Sequence, residues 1–294
     1  MSAPRRPIPQ EVFELYDAYA HNRLDRRGFV RRLSAFAVGG LTVPALLSAV
    51  LPDYERAIQV PVDDPRLVVE TVTYNSSEGG GEISAQLARP AGVEDRLPGI
   101  VVVHENRGLN PYIADVGRRA ALAGFVTIAP DALSPLGGYP GDDDAGRELQ
   151  RQRERGAMLR DFMAAYYTLA AHEATTGRVG VVGFCFGGWV SNAMAVELPE
   201  LGGAVPFYGS APELSEVPRI EAPLMLHFGG LDERVNAQWP AYEAALMAHQ
   251  KAYSAHFYPG VNHGFHNDST PRYDEAAATL AWERTMAFFG EVLG

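Results

Sequence analysis

The residues best suited to chemistry in this chain begin with Cys185, its sole cysteine. It lies in Gly183–Gly187, a Gly-x-nucleophile-x-Gly pattern between a Val-rich segment and a predicted helix. The two glycines allow a sharp turn that exposes the nucleophile, and a helix start lowers the pKa of a thiol. The backbone amide of Phe186 would lie at that helix start, where it can stabilise an oxyanion. The pattern therefore predicts a nucleophilic thiolate.

Two partners follow in the order that such a site requires, an acid and then a histidine. Asp232 comes after the predicted strand Leu224–Phe228, and His263 comes after the predicted strand Ser254–Tyr258. The separations leave room for one strand–helix unit between successive members. We therefore predict that Cys185, His263 and Asp232 form a catalytic triad at the carboxyl ends of a sheet.

Each partner also has a structural alternative. Asp232 could cap a turn or a helix, and His263 could bind a loop carbonyl. Glu233 and His266 are the nearest competitors for acid and base, while His227 falls within a strand and is expected in the core. The spacing His263-x-x-His266 imitates metal ligands, but no third ligand is evident, so we predict no metal.

The segments that must position these residues alternate between strands and helices from about Val60 onward. This order is typical of an α/β fold with a mostly parallel sheet and helices on both faces. The predicted strands are Leu67–Thr73, Glu82–Ala88, Ile100–Val103, Phe125–Ala129, Val179–Val182, Ala204–Tyr208, Leu224–Phe228 and Ser254–Tyr258. The predicted helices are Ile113–Ala123, a long charged helix over Ala145–His172, one from about Gly187, Pro240–His249 and Asp274–Val292.

Residues 1–60 form a separate unit before the catalytic domain at 61–294. Val12, Leu15, Tyr16 and Tyr19 recur at helical spacing, and Asp25 could cap a second helix. The arginine pair after Asp25 and the apolar run at 34–50 resemble a twin-arginine export signal. A retained helical extension is the favoured interpretation, which predicts a cytoplasmic protein, with export as the alternative. The run is too short and broken for a stable membrane span.

Composition excludes several classes of function. The chain has 294 residues and a net charge of −11, which argues against a nucleic-acid partner. A lone cysteine excludes an intrachain disulfide and a cysteine-rich metal site. The acidic run Asp142–Asp144 is expected to be a solvated loop rather than a metal site. We expect a small-molecule substrate and no cofactor, and the sequence leaves the oligomeric state open.

Between Leu67 and Leu293 the chain resembles the dienelactone hydrolases, or carboxymethylenebutenolidases. The resemblance rests on motifs that surround the residues described above: Val103–Leu109, Gly183–Gly188, the Asp232 loop and Asn262–Phe265. It implies an α/β-hydrolase fold, with the N-terminal helical extension typical of a longer branch, and a triad on Cys185, Asp232 and His263.

The resemblance also assigns roles to the segment after the third strand. It places the family's extra glutamate on Glu105, which would hold the resting thiol and help to deprotonate it. The backbone amide of Asn106 would be the second oxyanion donor. A carboxylate at a buried strand end has a raised pKa and could accept a thiol proton. The alternative for Glu105 is a salt bridge to Arg107.

Departures from the family pattern concern the substrate. Where family members carry an arginine four residues after the catalytic histidine, this chain has Asn267, and an amide does not replace bidentate arginine. A second family arginine corresponds to Arg151 or Arg153. The candidates for substrate binding are therefore Arg107, Arg151, Arg153, Phe184 and Asn267. The extension could cover part of the pocket mouth.

The expected reaction is hydrolysis of an activated ester or lactone through a thioester on the cysteine. A thiolate leaves more readily than a poor alkoxide, so unactivated alkyl esters and amides should react poorly. The alternatives are a broad-specificity carboxylesterase of the same fold and a non-catalytic protein whose thiol responds to oxidants.

Overall fold

A single mixed sheet organises most of the chain in this computed structural model, which describes residues 8–21, 23–37 and 42–294. Its strands are β1 (Leu67–Ser76), β2 (Gly81–Pro90), β3 (Leu97–Val103), β4 (Val126–Pro130), β5 (Thr175–Phe184), β6 (Ala204–Phe207), β7 (Leu224–Gly229) and β8 (Tyr253–Tyr258). The order across the sheet is β1-β2-β4-β3-β5-β6-β7-β8. β2 pairs antiparallel with both β1 and β4, and the remaining pairs are parallel. The predicted mostly parallel α/β sheet is confirmed.

Helices cover both faces of the sheet. Within the described ranges they are α1 (Gln10–Ala20), α2 (Arg26–Leu33), α3 (Val43–Val50), α4 (Tyr54–Ala57), α5 (Pro111–Leu122), α6 (Asp143–Gln150), α7 (Arg155–Ala170), α8 (Phe186–Glu197), α9 (Glu233–Asn236), α10 (Trp239–Ala248) and α11 (Glu275–Leu293). α5 and α11 pack on one face, and α7, α8 and α10 pack on the other.

The apolar run at the end of β3 shows why the strand sequences are continuous rather than alternating. Ile100 and Val102 point into the core on the α5 face, whereas Val101 and Val103 point into the core on the α7 face. All four side chains are fully buried. A parallel strand covered on both faces needs apolar residues at every position, and this burial fixes the carboxyl end of β3 in place.

The N-terminal helices form a small core of their own. Val12, Tyr16 and Tyr19 from α1 pack against Phe29 and Leu33 from α2. Asp25 caps α2 as predicted, because its carboxylate accepts a hydrogen bond from the backbone N–H of Gly28 at 2.6 Å. Part of the predicted apolar run, residues 38–41, lies outside the described residues. Within the described ranges, none of the helices has the length and apolar character needed to cross a membrane.

The prediction of one long helix over Ala145–His172 is wrong. α6 ends at Gln150 and α7 starts at Arg155, with a turn between them. The break follows from tertiary contacts that no local pattern reveals. Gln150 accepts a hydrogen bond from the backbone N–H of Gly108, and Arg153 turns inward to pair with Asp161 at 2.9 Å.

Candidate active site

The nucleophile elbow forms where β5 passes into α8. Cys185 has a φ of 57°, a left-handed conformation that is strained for a residue with a side chain. Glycines on either side permit the turn: a Cβ on Gly183 would lie 2.0 Å from the carbonyl oxygen of Gly187, and one on Gly187 would lie 2.4 Å from that of Val103. The turn leaves the thiol half-buried at the start of α8.

Asp232 and His263 meet beside this elbow. The Nδ1 atom of His263 lies 2.5 Å from Oδ2 of Asp232, and both residues are buried. Asp232 also caps α9 by accepting a hydrogen bond from the backbone N–H of Val235. The carboxylate of Asp232 can therefore cap a helix and bind the histidine at the same time. Because Nδ1 faces the carboxylate and carries a proton, Nε2 of His263 is the ring atom that can exchange a proton with other groups.

The sulfur itself is hydrogen-bonded to a different histidine. Nε2 of His21, at the end of α1, lies 3.2 Å from Sγ of Cys185. Nδ1 of His21 lies 2.8 Å from the carbonyl oxygen of Asp17 and 3.0 Å from its carboxylate. Nε2 of His263 is buried and has no hydrogen-bond partner within the described part of the chain. Sequence reasoning missed His21, since no local signal links it to the thiol.

The charges around the sulfur favour the thiolate. Burial opposes ionisation, but His21 and His263 outweigh it and hold the pKa of Cys185 well below its usual range. Burial likewise lowers the pKa of His263, yet Asp232 and then Cys185 raise it to about 10. The pKa of His21 is also raised, because Cys185 and Asp17 overcome the effect of burial. A thiolate facing protonated imidazole is therefore the favoured resting state.

The side chains of His21, Cys185 and His263 resemble the ligand set of a metal centre. The ligand atoms of His21, Cys185 and His263 lie within 4.8 Å of one another, a set that zinc could bind. However, Nη2 of Arg234 lies 3.3 Å from Nε2 of His21 and 3.4 Å from Nδ1 of His263. A guanidinium against both rings repels a divalent cation. We therefore interpret the cluster as proton-transfer groups and keep the prediction of no metal.

The competing histidines and acid lie elsewhere. Nδ1 of His266 lies 2.7 Å from the hydroxyl of Tyr112, and burial lowers the pKa of His266 to about 3. His227 is fully buried in the core, with its ring nitrogens near the hydroxyls of Tyr258 and Thr285. Glu233, the competing acid, is exposed at the start of α9. None of the three side chains contacts the sulfur.

Glu105 is buried near the thiol but has a different hydrogen-bond partner from the one expected. Its Oε2 accepts a hydrogen bond at 2.9 Å from Nδ2 of Asn267. Burial raises the pKa of Glu105 even though Arg107 opposes the shift. The alternative salt bridge is not formed, because Arg107 pairs at 2.6 Å with Asp143. The pairing of Arg107 with Asp143 also corrects the expectation that the acidic run Asp142–Asp144 is a solvated loop. The carboxylate of Asp143 lies in a largely buried network that includes Tyr54.

A cavity of about 350 Å³ opens above the thiol. It contains two of the sequence-predicted residues beside the nucleophile, Phe186 and Asn106, and one of the predicted arginines, Arg151. The N–H of Phe186 has no acceptor within α8, because it is the first residue of the helix. The other cavity-lining residues are His21, Arg147, Gln150, Arg155, Met158, Trp189, Tyr208, Ser210 and Arg234.

Four of the predicted substrate-binding residues lie outside this cavity wall. Phe184 is fully buried and stacks on Phe207, with ring centroids 4.8 Å apart. The side chains of Arg107, Arg153 and Asn267 are held by the internal partners described above. Sequence reasoning missed Arg155, whose guanidinium lies 3.5 Å from the centroid of the Trp189 ring. Arg155 is the first residue of α7, directly after the break between α6 and α7.

Comparison with known proteins covers both parts of the chain. Residues 83–293 match the model of the dienelactone hydrolase family, and residues 3–38 match a model described as YqhI-like. The chain is 30% identical to carboxymethylenebutenolidase 1 of Cupriavidus pinatubonensis, over 72% of this chain and 92% of that protein. It is 54% identical to an Escherichia coli protein named "Putative hydrolase fragment YghX", over 38% of this chain and 96% of that one. The structure of a dienelactone hydrolase from Anabaena variabilis shares the fold, with a TM-score of 0.60 at 21% identity over 78% of this chain and all of that one.

Proposed function

The chain belongs to the dienelactone hydrolase family of ester and lactone hydrolases, and we propose that it cleaves its substrate through a thioester on Cys185. The observation that carries the proposal is a low-pKa thiol at a helix start, within reach of a buried His263–Asp232 pair. A thiol needs a lowered pKa to attack at neutral pH, and a histidine held by a carboxylate can transfer protons during the reaction.

The reaction proceeds in two steps. In the first, the thiolate attacks the carbonyl carbon, and the carbonyl electrons move onto oxygen, where the N–H groups of Phe186 and Asn106 stabilise them. Collapse of this intermediate forms the thioester and expels an alkoxide, which takes a proton from an imidazolium. In the second, a neutral imidazole deprotonates water, the hydroxide attacks the thioester, and the thiolate leaves. The acid product and the resting site are regenerated.

The cavity favours a substrate with a carboxylate near the reacting carbonyl. Within the described residues Arg155 has no ion-pair partner, whereas Arg151 pairs with Glu148 and Arg153 pairs with Asp161. An unpaired guanidinium stacked on Trp189 beside the nucleophile is suited to bind an anionic group. We therefore propose Arg155 as the carboxylate-binding residue and a carboxylated lactone as the preferred substrate class.

A broad carboxylesterase is the second candidate, because the position of the family's first arginine holds Asn267, which supports Glu105 instead. Turnover of p-nitrophenyl acetate and of a cis-dienelactone by the wild type and by Cys185→Ser tests both candidates. Loss of both activities in the variant supports the thioester mechanism. A wild type that cleaves only the neutral ester supports the carboxylesterase, and a wild type that cleaves neither contradicts the proposed function.

A further inference from the structure

The last turn of α1 places a second histidine–aspartate pair against the nucleophile. Asp17 holds Nδ1 of His21, so that Nε2 of this ring faces Sγ of Cys185 at 3.2 Å. We propose that His21 is a second catalytic imidazole that accepts the thiol proton, while His263 serves the leaving group and the attacking water. The proposal rests on the thioester mechanism proposed above and adds a residue to it.

In both pairs Nδ1 of the histidine faces an aspartate. Nδ1 of His21 lies 2.8 Å from the backbone carbonyl of Asp17, its hydrogen-bond acceptor, and 3.0 Å from the carboxylate, whereas Nδ1 of His263 lies 2.5 Å from the carboxylate of Asp232. This contact places the ring proton on Nδ1 and leaves Nε2 as the atom that exchanges protons. The rings meet edge to face, with centroids 4.9 Å apart and planes at 84°. Both imidazoles can therefore approach the reaction centre from different directions.

The contacts with the sulfur differ between the rings. His21 is hydrogen-bonded to the sulfur at 3.2 Å, whereas His263 acts on it mainly through its charge, and Nε2 of His263 forms no hydrogen bond of standard geometry among the described residues. At rest the thiol proton lies on Nε2 of His21, which gives a thiolate–imidazolium pair. When the thioester forms, the sulfur becomes neutral and His21 keeps its proton. When hydroxide displaces the thiolate, the pair forms again without a further proton transfer. His263, which is itself protonated at rest, gives its Nε2 proton to the alkoxide and later takes a proton from water.

α1 is fixed tightly enough for this role. The side chains of two cavity residues bind the carbonyls directly before His21: Nη1 of Arg147 donates to Tyr19 at 2.9 Å, and Nδ2 of Asn106 donates to Ala20 at 2.6 Å. The other end of α1 is held by an amide pair between Gln10 and the residue preceding His263, with contacts of 2.6 and 3.2 Å. One end of the helix is therefore bonded to the cavity wall and the other to the loop that carries His263.

The groups that face the His21–Cys185 pair come from several elements. They are Asp17, Glu105, Arg155, Tyr208, Arg234 and His263. Two negative charges, on the thiolate and on Asp17, contact the His21 ring, and the guanidinium of Arg234 opposes its protonation. Burial raises the pKa of Asp17, but the His21 hydrogen bond and nearby positive charges reverse this, so the carboxylate stays charged.

The test measures the thiolate rather than ester turnover. The rate of alkylation of Cys185 by iodoacetamide is recorded against pH for the wild type, His21→Gln and His249→Gln, an exposed histidine at the end of α10 that serves as the matched control. Loss of the imidazole removes a charge that stabilises the thiolate, so the midpoint for His21→Gln should rise by roughly one pH unit or more. Asp17→Asn should raise it by less, and His249→Gln should leave it unchanged.

A second measurement separates chemistry from mere packing. In His21→Ala, added imidazole can occupy the vacated position and should return the alkylation midpoint toward that of the wild type. An unchanged midpoint in His21→Gln, or a shift that imidazole does not reverse, overturns the proposal. Alkylation needs no ester, so a wild type that cleaves no substrate would contradict the proposed function while these profiles still decide the role of His21.

Discussion

The sheet edge and the N-terminal segment each bring a histidine and an aspartate to Cys185, but by different routes. At the sheet edge, Asp232 and His263 follow β7 and β8, two adjacent parallel strands whose ends must lie together. In the N-terminal segment, Asp17 and His21 lie one helical turn apart and reach the sulfur only because α1 docks on the catalytic domain. A pair set by sheet topology is as stable as the sheet, whereas a pair set by docking depends on the side-chain contacts that hold α1 against the catalytic domain.

The largest expected effect comes from the pair at the sheet edge. His263→Gln should lower steady-state turnover of p-nitrophenyl acetate by about 10³-fold or more, because both the leaving group and the water lose their proton carrier. Acylation with this good leaving group should proceed further than hydrolysis, so the thioester should accumulate and be visible by mass spectrometry. Turnover within a few-fold of that of His249→Gln would remove His263 from the mechanism.

The docked pair should have a smaller effect, and on a different step. His21→Gln should slow the pre-steady-state burst of p-nitrophenol by roughly 10- to 100-fold, because less thiolate is present at neutral pH. The loss should shrink as pH rises, since a thiol with a raised pKa ionises in more alkaline solution. Stopped-flow bursts between neutral and alkaline pH test this, and a loss that is independent of pH would argue against thiolate stabilisation.

The site residues at the sheet edge, Cys185, Asp232 and His263, could be predicted from the sequence because the patterns that identify them are local. The Gly183–Gly187 elbow and the two loop residues each follow a strand, and strand order fixes where they meet. The contact of His21 with the thiol could not be predicted, since His21 lies 164 residues from Cys185 in the chain and no periodicity connects them. The same limit applies to the arginines near the cavity. Of the two predicted candidates, Arg151 lines the cavity and Arg153 pairs with Asp161, whereas Arg155 is found in the lining only once the turn between α6 and α7 is known.

Substrate recognition gives a third, smaller test, at a cavity residue that belongs to neither histidine–aspartate pair. Arg155→Gln should raise KM for a carboxylated lactone by about 10-fold, as expected for loss of one charge-assisted contact. KM for the neutral p-nitrophenyl acetate should change little, and the alkylation midpoint of the thiol should move less than in His21→Gln, because His21 and His263 lower the pKa of Cys185 more than Arg155 does. Equal increases in KM for the two substrates would show that the arginine shapes the cavity without reading charge.

The smallest expected effect sharpens the comparison most, because it alters docking and leaves every proton-transfer group in place. The hydroxyl of Tyr16 in α1 accepts a hydrogen bond at 2.9 Å from Nη2 of Arg107, so Tyr16→Phe removes one contact worth about 1 kcal/mol. If that contact acts through the placement of His21, the burst should slow a few-fold in the wild-type background and hardly at all in His21→Gln. A double-mutant cycle on burst rates measures this coupling. Additive losses would mean that the contact stabilises the fold as a whole, whereas strong coupling would show that the position of His21 depends on how firmly α1 is docked.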